Sequence, residues 1–112
     1  MDFAENARRL EIDEDQYRSL VATFIRHART DLDSIERSIA AGDFEQVRRD
    51  AHSLKGASGS LELEEIYGAS TSISPLAIDR RSEAILEHVV TIRTHVEALE
   101  HALGSADEAE ES

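Results

Sequence analysis

The chain has 112 residues, a formal net charge of −12 and no cysteine, which suits a single domain without disulfides or thiolate metal sites. The negative charge argues against nucleic acid as a partner, because nucleic-acid phosphates would be repelled. No apolar run is long enough for a signal peptide or a membrane span, so the sequence predicts a soluble, cytoplasmic protein that does not enter a membrane.

Apolar residues recur at helical spacing along most of the chain, which predicts an all-α protein. A short first helix is predicted over residues 3–10. Asp13 and Gln16 then form a capping-box pattern, which indicates the start of a long second helix over residues 14–41. One continuous apolar stripe follows along that helix, so we expect it to bury one face in a core.

The turn after the second helix predicts where the third begins. Gly42 suits the left-handed backbone that ends a helix, and Asp43 can cap a third helix over residues 44–60. A fourth helix is predicted over residues 62–74, and Pro75 is expected to mark its end because proline lacks the amide hydrogen that a helix needs.

The last helix is predicted over residues 81–103, where apolar residues form a heptad-like seam, and Gly104 is expected to stop it. Residues 105–112 carry four acidic side chains and are predicted to form a disordered tail outside a domain of residues 1–104. Short links between long amphipathic helices place neighbours antiparallel. The predicted architecture is therefore an up-and-down four-helix bundle with a short N-terminal helix.

The third helix contains an unusual combination of residues in the stretch RRDAHSLKGASGSL. On a helical wheel, His52 lies about 130° from the centre of the apolar set and is predicted to face solvent. Each glycine in this helix should cost about 1 kcal/mol relative to alanine, which suggests that a large partner must approach closely. Four neighbours share the His52 face by their spacing: Arg48, Lys55, Gly56 and Gly59.

The chemistry of this face favours transfer of an anionic group. A neutral imidazole is a good nucleophile and can form covalent intermediates. If the group is a phosphoryl, about two negative charges appear beside the His52 ring, and Lys55 one turn away is placed to stabilise them. Other interpretations stay open at this point. An exposed histidine is often an ordinary surface residue, and paired glycines also occur where helices pack tightly.

No other pattern in the chain indicates a catalytic or metal site. The carboxylates are scattered, and GASGS lacks the Gly-Lys-Ser/Thr of a phosphate-binding loop. The remaining histidines do not have the i, i+4 spacing of a helical metal site, so no metal is predicted at His27, His88, His95 and His101.

The segment AHSLKGASGSL resembles the signature of histidine phosphotransfer (HPt) domains, a His with Leu-Lys-Gly beginning two residues later and then small residues and a Leu. The resemblance covers residues 5–103 and includes the long helix and the AAGD turn. It implies a four-helix bundle that takes a phosphoryl group from a receiver-domain aspartate and passes it to another receiver, without kinase or hydrolase activity. It also implies that the receiver supplies an acidic pocket and Mg²⁺, so the chain needs no cofactor of its own.

Individual residues can be matched to this signature. His52 matches the phosphoaccepting histidine, and Lys55 matches the lysine that supports the phosphoryl group. Gly56 matches the glycine that lets the partner approach, and Gly59 falls in the small-residue region. The sequence departs from the family at Glu62, where a glycine often follows the leucine.

The resemblance also implies partners, namely response-regulator receiver domains and a hybrid sensor histidine kinase. Counting back along the second helix from the turn places Arg29 near the height of His52. Arg29, Arg48 and Lys55 are therefore predicted to form a basic rim that faces an acidic partner, although an ordinary solvated helix face is an equal alternative for the two arginines.

Two other functions remain possible from the sequence. The first is a module of the same fold that docks a receiver or kinase without accepting phosphate. The second is a structural bundle that dimerises through Gly56 and Gly59, whereas the HPt interpretation predicts a monomer. An enzyme with its own hydrolase site is a weaker third alternative, because no group of residues argues for one.

Overall fold

The computed structural model describes the backbone of residues 1–111 and the side chains of residues 1–104. No strand occurs in the described backbone, which confirms the predicted all-α class. No helix in this part of the chain is both long and apolar enough to cross a membrane. The helices in chain order are α1 (Phe3–Arg9), α2 (Glu14–Ala41), α3 (Phe44–Ser60), α4 (Glu64–Ile78) and α5 (Ser82–Glu111).

The four long helices pack around one apolar core. α2 packs against α3 and α5, α4 packs against the same two helices, and α1 contacts α2. Burial of one Leu, Ile or Val side chain contributes about 1.5–3 kcal/mol, so this core supplies most of the favourable free energy of folding. The side chains that are almost fully buried include Tyr17, Val21, Leu32, Val47, Leu54, Ile73, Ile85 and Ile92.

One residue with left-handed backbone follows each of the first four helices. Gly42 occupies this position after α2 with φ 74°, as predicted. After α3 the residue with left-handed backbone is Glu62, where the sequence departs from the HPt signature. The Leu63 amide that follows donates to the Ser58 carbonyl at 2.9 Å. The turn therefore forms without glycine, at a cost of roughly 1–2 kcal/mol. The residues other than glycine with positive φ are Glu11 (58°), Glu62 (58°) and Arg80 (54°).

Two predicted helix ends were wrong. α4 does not end at Pro75 but continues to Ile78. Pro75 is exposed, so the Thr71 carbonyl that loses its amide partner lies on the solvent side, where water can solvate it. α5 likewise continues past Gly104, because one glycine weakens a helix without ending it. The predicted tail of residues 105–112 lies outside the described side chains, and its separation from the domain stays a prediction.

Candidate functional site

His52 lies in the middle of α3 on the side that faces away from the core. The apolar residues of α3 that are buried are Val47, Ala51 and Leu54. His52 is exposed, as the helical wheel predicted. Among the side chains that the structure describes, none forms a hydrogen bond or ion pair with the imidazole. Both ring nitrogens are therefore available to an incoming group.

Lys55 lies one turn after His52 and is half-buried. Within the described residues its ammonium forms no ion pair, although the chain carries 24 acidic residues. The predicted neighbour Arg48 differs, because its Nη1 donates to Glu45 Oε1 at 3.0 Å within α3. Lys55 can thus bind a new anion without first leaving a carboxylate, whereas Arg48 cannot.

The two glycines of the motif have different surroundings. A Cβ atom added at Gly56 would meet nothing within 4 Å, so packing inside the chain does not require glycine there. A Cβ atom at Gly59 would lie 3.1 Å and 3.2 Å from Cδ2 and Cε2 of the Tyr67 ring on α4. Close packing of α4 against α3 therefore accounts for Gly59, and its role in partner binding stays a prediction.

The structure places Arg29 away from the predicted rim. Its Nη1 donates to Glu100 Oε2 on α5 at 2.7 Å. α5 and α3 pack on different sides of α2, so a side chain that reaches α5 points away from the His52 face. Counting residues gave the height of Arg29 along the bundle but not its rotation about the α2 axis. The basic rim of Arg29, Arg48 and Lys55 is therefore not assembled.

Two carboxylates that the sequence analysis missed lie between α2 and α3. They belong to Asp31 on α2 and Asp50 on α3. Burial raises the pKa of Asp31 and the Asp50 charge raises it further, whereas a hydrogen bond with Ser53 and the His27 charge lower it. Asp50 is buried, its Oδ1 accepts from Gln46 Nε2 at 2.9 Å, and its Oδ2 has no hydrogen-bond partner among the described residues. Helical spacing from Val47 to Asp50 was the available signal, because it places Asp50 on the core side of α3.

Tyr17 fixes the C-terminal end of α3. Its hydroxyl donates to the Leu61 carbonyl at 2.7 Å and accepts from Asn6 Nδ2 at 3.1 Å. The Tyr17 side chain is fully buried, and burial raises its pKa. A buried hydrogen bond of this kind orders the helix end, so it helps to keep α3 and its exposed histidine rigid. In the part of the chain with described side chains, no three His, Asp or Glu residues are placed to hold a metal ion.

A model of the Hpt domain family matches residues 19–109, which includes all of α3 and α4. The chain belongs to the Hpt domain family. Hpt domains are phosphocarrier modules of two-component signalling, and they interact with receiver domains and histidine kinases in phosphorelays. The predicted family is thus confirmed. The comparisons with curated proteins and with solved structures each gave no match.

Proposed function

We propose that this Hpt domain is a phosphoryl carrier that accepts a phosphoryl group on His52 from a receiver-domain aspartate and passes it to a second receiver. The observation that carries the proposal is the exposed imidazole, which has no partner among the described residues and lies in the middle of a well-packed helix. The proposal includes an up-and-down arrangement of the four long helices, with His52 held on its outer surface. We further propose that the carrier is monomeric and acts in the cytoplasm.

The transfer step is a displacement at phosphorus. The Nε2 lone pair of His52 attacks the phosphorus of the aspartyl phosphate, the N–P bond forms, and the P–O bond to the receiver breaks. The bond pair leaves with the receiver carboxylate, and the imidazole becomes a phosphohistidine. In-line positioning supplies most of the rate enhancement, and Mg²⁺ held by the receiver would neutralise the phosphoryl oxygens. Reversal with a second receiver delivers the group onward.

Lys55 is the residue that we propose to stabilise the phosphohistidine. Its ammonium lies one turn from His52 and is not committed to a carboxylate in the described structure. A phosphoryl group adds about two negative charges, so a nearby cation favours the phosphorylated state. Gly56 would leave the backbone beside the ring accessible, because nothing lies within 4 Å of the place where its Cβ would be.

The test is incubation of the full chain with a panel of receiver domains that carry radioactive aspartyl phosphate. We expect an acid-labile, base-stable label on the chain, which peptide mapping assigns to His52. A label on any other residue would contradict the proposal. Stable binding of a phosphorylated receiver without any label on the chain would favour the docking-module alternative instead.

A further inference from the structure

An apolar pocket lies in the groove between α2 and α3. Its cavity volume is about 290 Å³, close to the lower end of the range for small-molecule sites. The buried part of its lining includes Phe24 on α2, Leu54 on α3 and Leu61 at the end of α3. Leu20 forms part of the wall and is 47% exposed, so an apolar surface at this pocket stays in contact with water. A ligand with an apolar body would bury that surface, which favours binding.

Asp31 supplies a carboxylate to this pocket. Its half-buried side chain lines the α2 side, and a hydrogen bond joins it to Ser53 on α3. Among the residues with described side chains, no Lys or Arg lines the pocket, and Asp31 forms no ion pair. Burial raises the pKa of Asp31, because the ionised carboxylate loses part of its hydration. The pocket therefore contains an acidic group that the described part of the chain leaves without a cation.

Asp50 adds a second carboxylate beside the pocket. It precedes Ser53 and Ala57 by three and seven residues, the spacing of one helix face, and both of these residues line the pocket. Asp50 is only 8% exposed, and its Oδ2 has no hydrogen-bond partner among the described residues. An unpartnered buried oxygen is costly, because nothing replaces the hydration that it lost. The two carboxylates together favour a cationic hydrogen-bond donor at this end of the pocket.

We propose that the pocket between α2 and α3 binds a hydrophobic amine, with the ammonium group at Asp31 and the apolar body over Phe24 and Leu20. This inference does not depend on the proposed function. An ammonium donates three hydrogen bonds and has no acceptor, so it matches a site whose polar groups are carboxylate oxygens. His27 is exposed on the pocket wall, where a neutral imidazole can also accept a hydrogen bond. The net charge of −12 adds a general attraction for cations and repels anions.

The test uses small probes that share a phenyl ring and differ in charge. They are phenethylammonium, the neutral phenethyl alcohol and the anion hydrocinnamate, each titrated into the full chain and followed by backbone amide shifts in NMR spectra. We expect phenethylammonium to shift the amides of the pocket, including those of Asp31, Ser53 and Ala57. It should bind about 10-fold or more tightly than the alcohol, because only the ammonium makes charge-assisted hydrogen bonds. The anion should not bind.

Matched variants separate the pocket from the general charge of the chain. Asp31→Asn removes the carboxylate charge at nearly constant size, so it should weaken binding of phenethylammonium about 10-fold and leave binding of the alcohol unchanged. Asp33→Asn has the same net charge but alters the α5 side of α2, so it should change ammonium binding less than about 2-fold. Ala57→Leu should weaken binding of both probes, because a larger side chain at this exposed position would fill the pocket.

Several outcomes would overturn the inference. Equal affinities for phenethylammonium and phenethyl alcohol would show that the carboxylate contributes nothing. Equal losses in Asp31→Asn and Asp33→Asn would show only a general attraction of cations to an acidic chain. If millimolar phenethylammonium shifts no amide of the pocket, the pocket is not a ligand site. If the same amides shift with the concentration of the chain alone, a second copy of the chain covers the groove instead.

Discussion

The face between α2 and α5 carries charges that are already paired. Arg29 on α2 contacts Glu100 on α5 at 2.7 Å, and this hydrogen bond lowers the pKa of Glu100. Arg93 on α5 contacts Asp33 and Glu36 on α2 at 2.8 Å and 2.6 Å. Arg29 and Arg93 thus each bridge α2 and α5.

The face of α3 and α4 around His52 shows the opposite arrangement. Within the described residues, neither His52 nor Lys55 has an ion-pair partner, and the neighbouring helix α4 has no charged residue from Ile66 to Ile78. An uncommitted cation can bind a new anion at once, whereas a paired cation must first give up its carboxylate. Ion pairing thus distinguishes Arg29 and Arg93, which join helices, from Lys55, which we expect to take part in the reaction.

The largest effect is expected from His52→Gln, which removes the nucleophile and leaves the core untouched. Phosphoryl acceptance from a labelled receiver should be lost completely, while the thermal unfolding midpoint stays nearly unchanged because the side chain is exposed. The matched control is His27→Gln, an exposed histidine on α2 that should keep full acceptance. A His52→Gln protein that still becomes labelled would remove the proposed function.

The second prediction compares one cation from each face. Lys55→Gln should slow phosphoryl transfer by about 10-fold, the equivalent of one charge-assisted contact of ~1.5 kcal/mol, and leave stability unchanged. Arg93→Gln should lower the free energy of unfolding by about 1 kcal/mol or less and leave transfer unchanged. Transfer kinetics measure the first effect and urea denaturation the second, each on both variants.

Lys55→Gln is thus expected to affect only phosphoryl transfer, and Arg93→Gln only stability. Lys55→Arg tests whether the positive charge of Lys55 is the cause of its effect on transfer. Because this variant keeps the positive charge, it should recover part of the lost transfer rate. Equal transfer rates for Lys55→Gln and the wild type would show that Lys55 is incidental. A loss of transfer in Arg93→Gln would show that the α2–α5 face also takes part in the reaction.

The third prediction separates the two glycines of α3. Gly56→Ala should raise the free energy of unfolding by up to about 1 kcal/mol, because alanine favours a helix and the new Cβ meets open space. Gly59→Ala should gain less or lose stability, because its Cβ would lie 3.1 Å from the Tyr67 ring. Urea denaturation of both variants measures the difference. An equal increase in the free energy of unfolding for both would contradict the packing explanation of Gly59.

The smallest expected effect is a change in stability, and it compares Asp31, which faces α3, with Asp33, which faces α5. Burial raises the pKa of Asp31 above its usual value of 3.8, so the folded state holds this proton more tightly than the unfolded chain. The ionised carboxylate therefore costs stability. This cost is absent below pH 3.8 and complete once the pH has passed the raised pKa. Asp31→Asn should therefore raise the free energy of unfolding slightly at neutral pH.

Urea denaturation at neutral and at strongly acidic pH measures whether Asp31→Asn raises the free energy of unfolding and how this effect depends on pH. The advantage of Asp31→Asn should disappear in acid, where the carboxyl group of the wild type is also neutral. Asp33→Asn is the control, because it breaks the contact with Arg93 and should not stabilise at neutral pH. A stabilising Asp33→Asn together with a neutral Asp31→Asn would reverse the assignment of the two carboxylates.

Features that depend on one helix at a time could be predicted from the amino-acid sequence. Helical spacing predicted the all-α class and the exposure of His52, because the positions of residues around one helix axis follow from the backbone geometry. Asp13 and Asp43 predicted the capped starts of α2 and α3, and the structure confirms both caps. The motif around His52 indicated the Hpt family, which the family comparison confirmed. The acceptor role of His52 stays a prediction that the experiments above can test.

Features that depend on how two helices are rotated against each other became visible only in the folded protein. The ion pair of Arg29 with Glu100 and the contact of Gly59 with Tyr67 both belong to this class. Sequence spacing gives the height of a residue along a bundle, but side-chain packing sets the rotation of each helix, and packing joins residues that are far apart in the chain. The exposed position of Pro75 explains in the same way why α4 could continue past it.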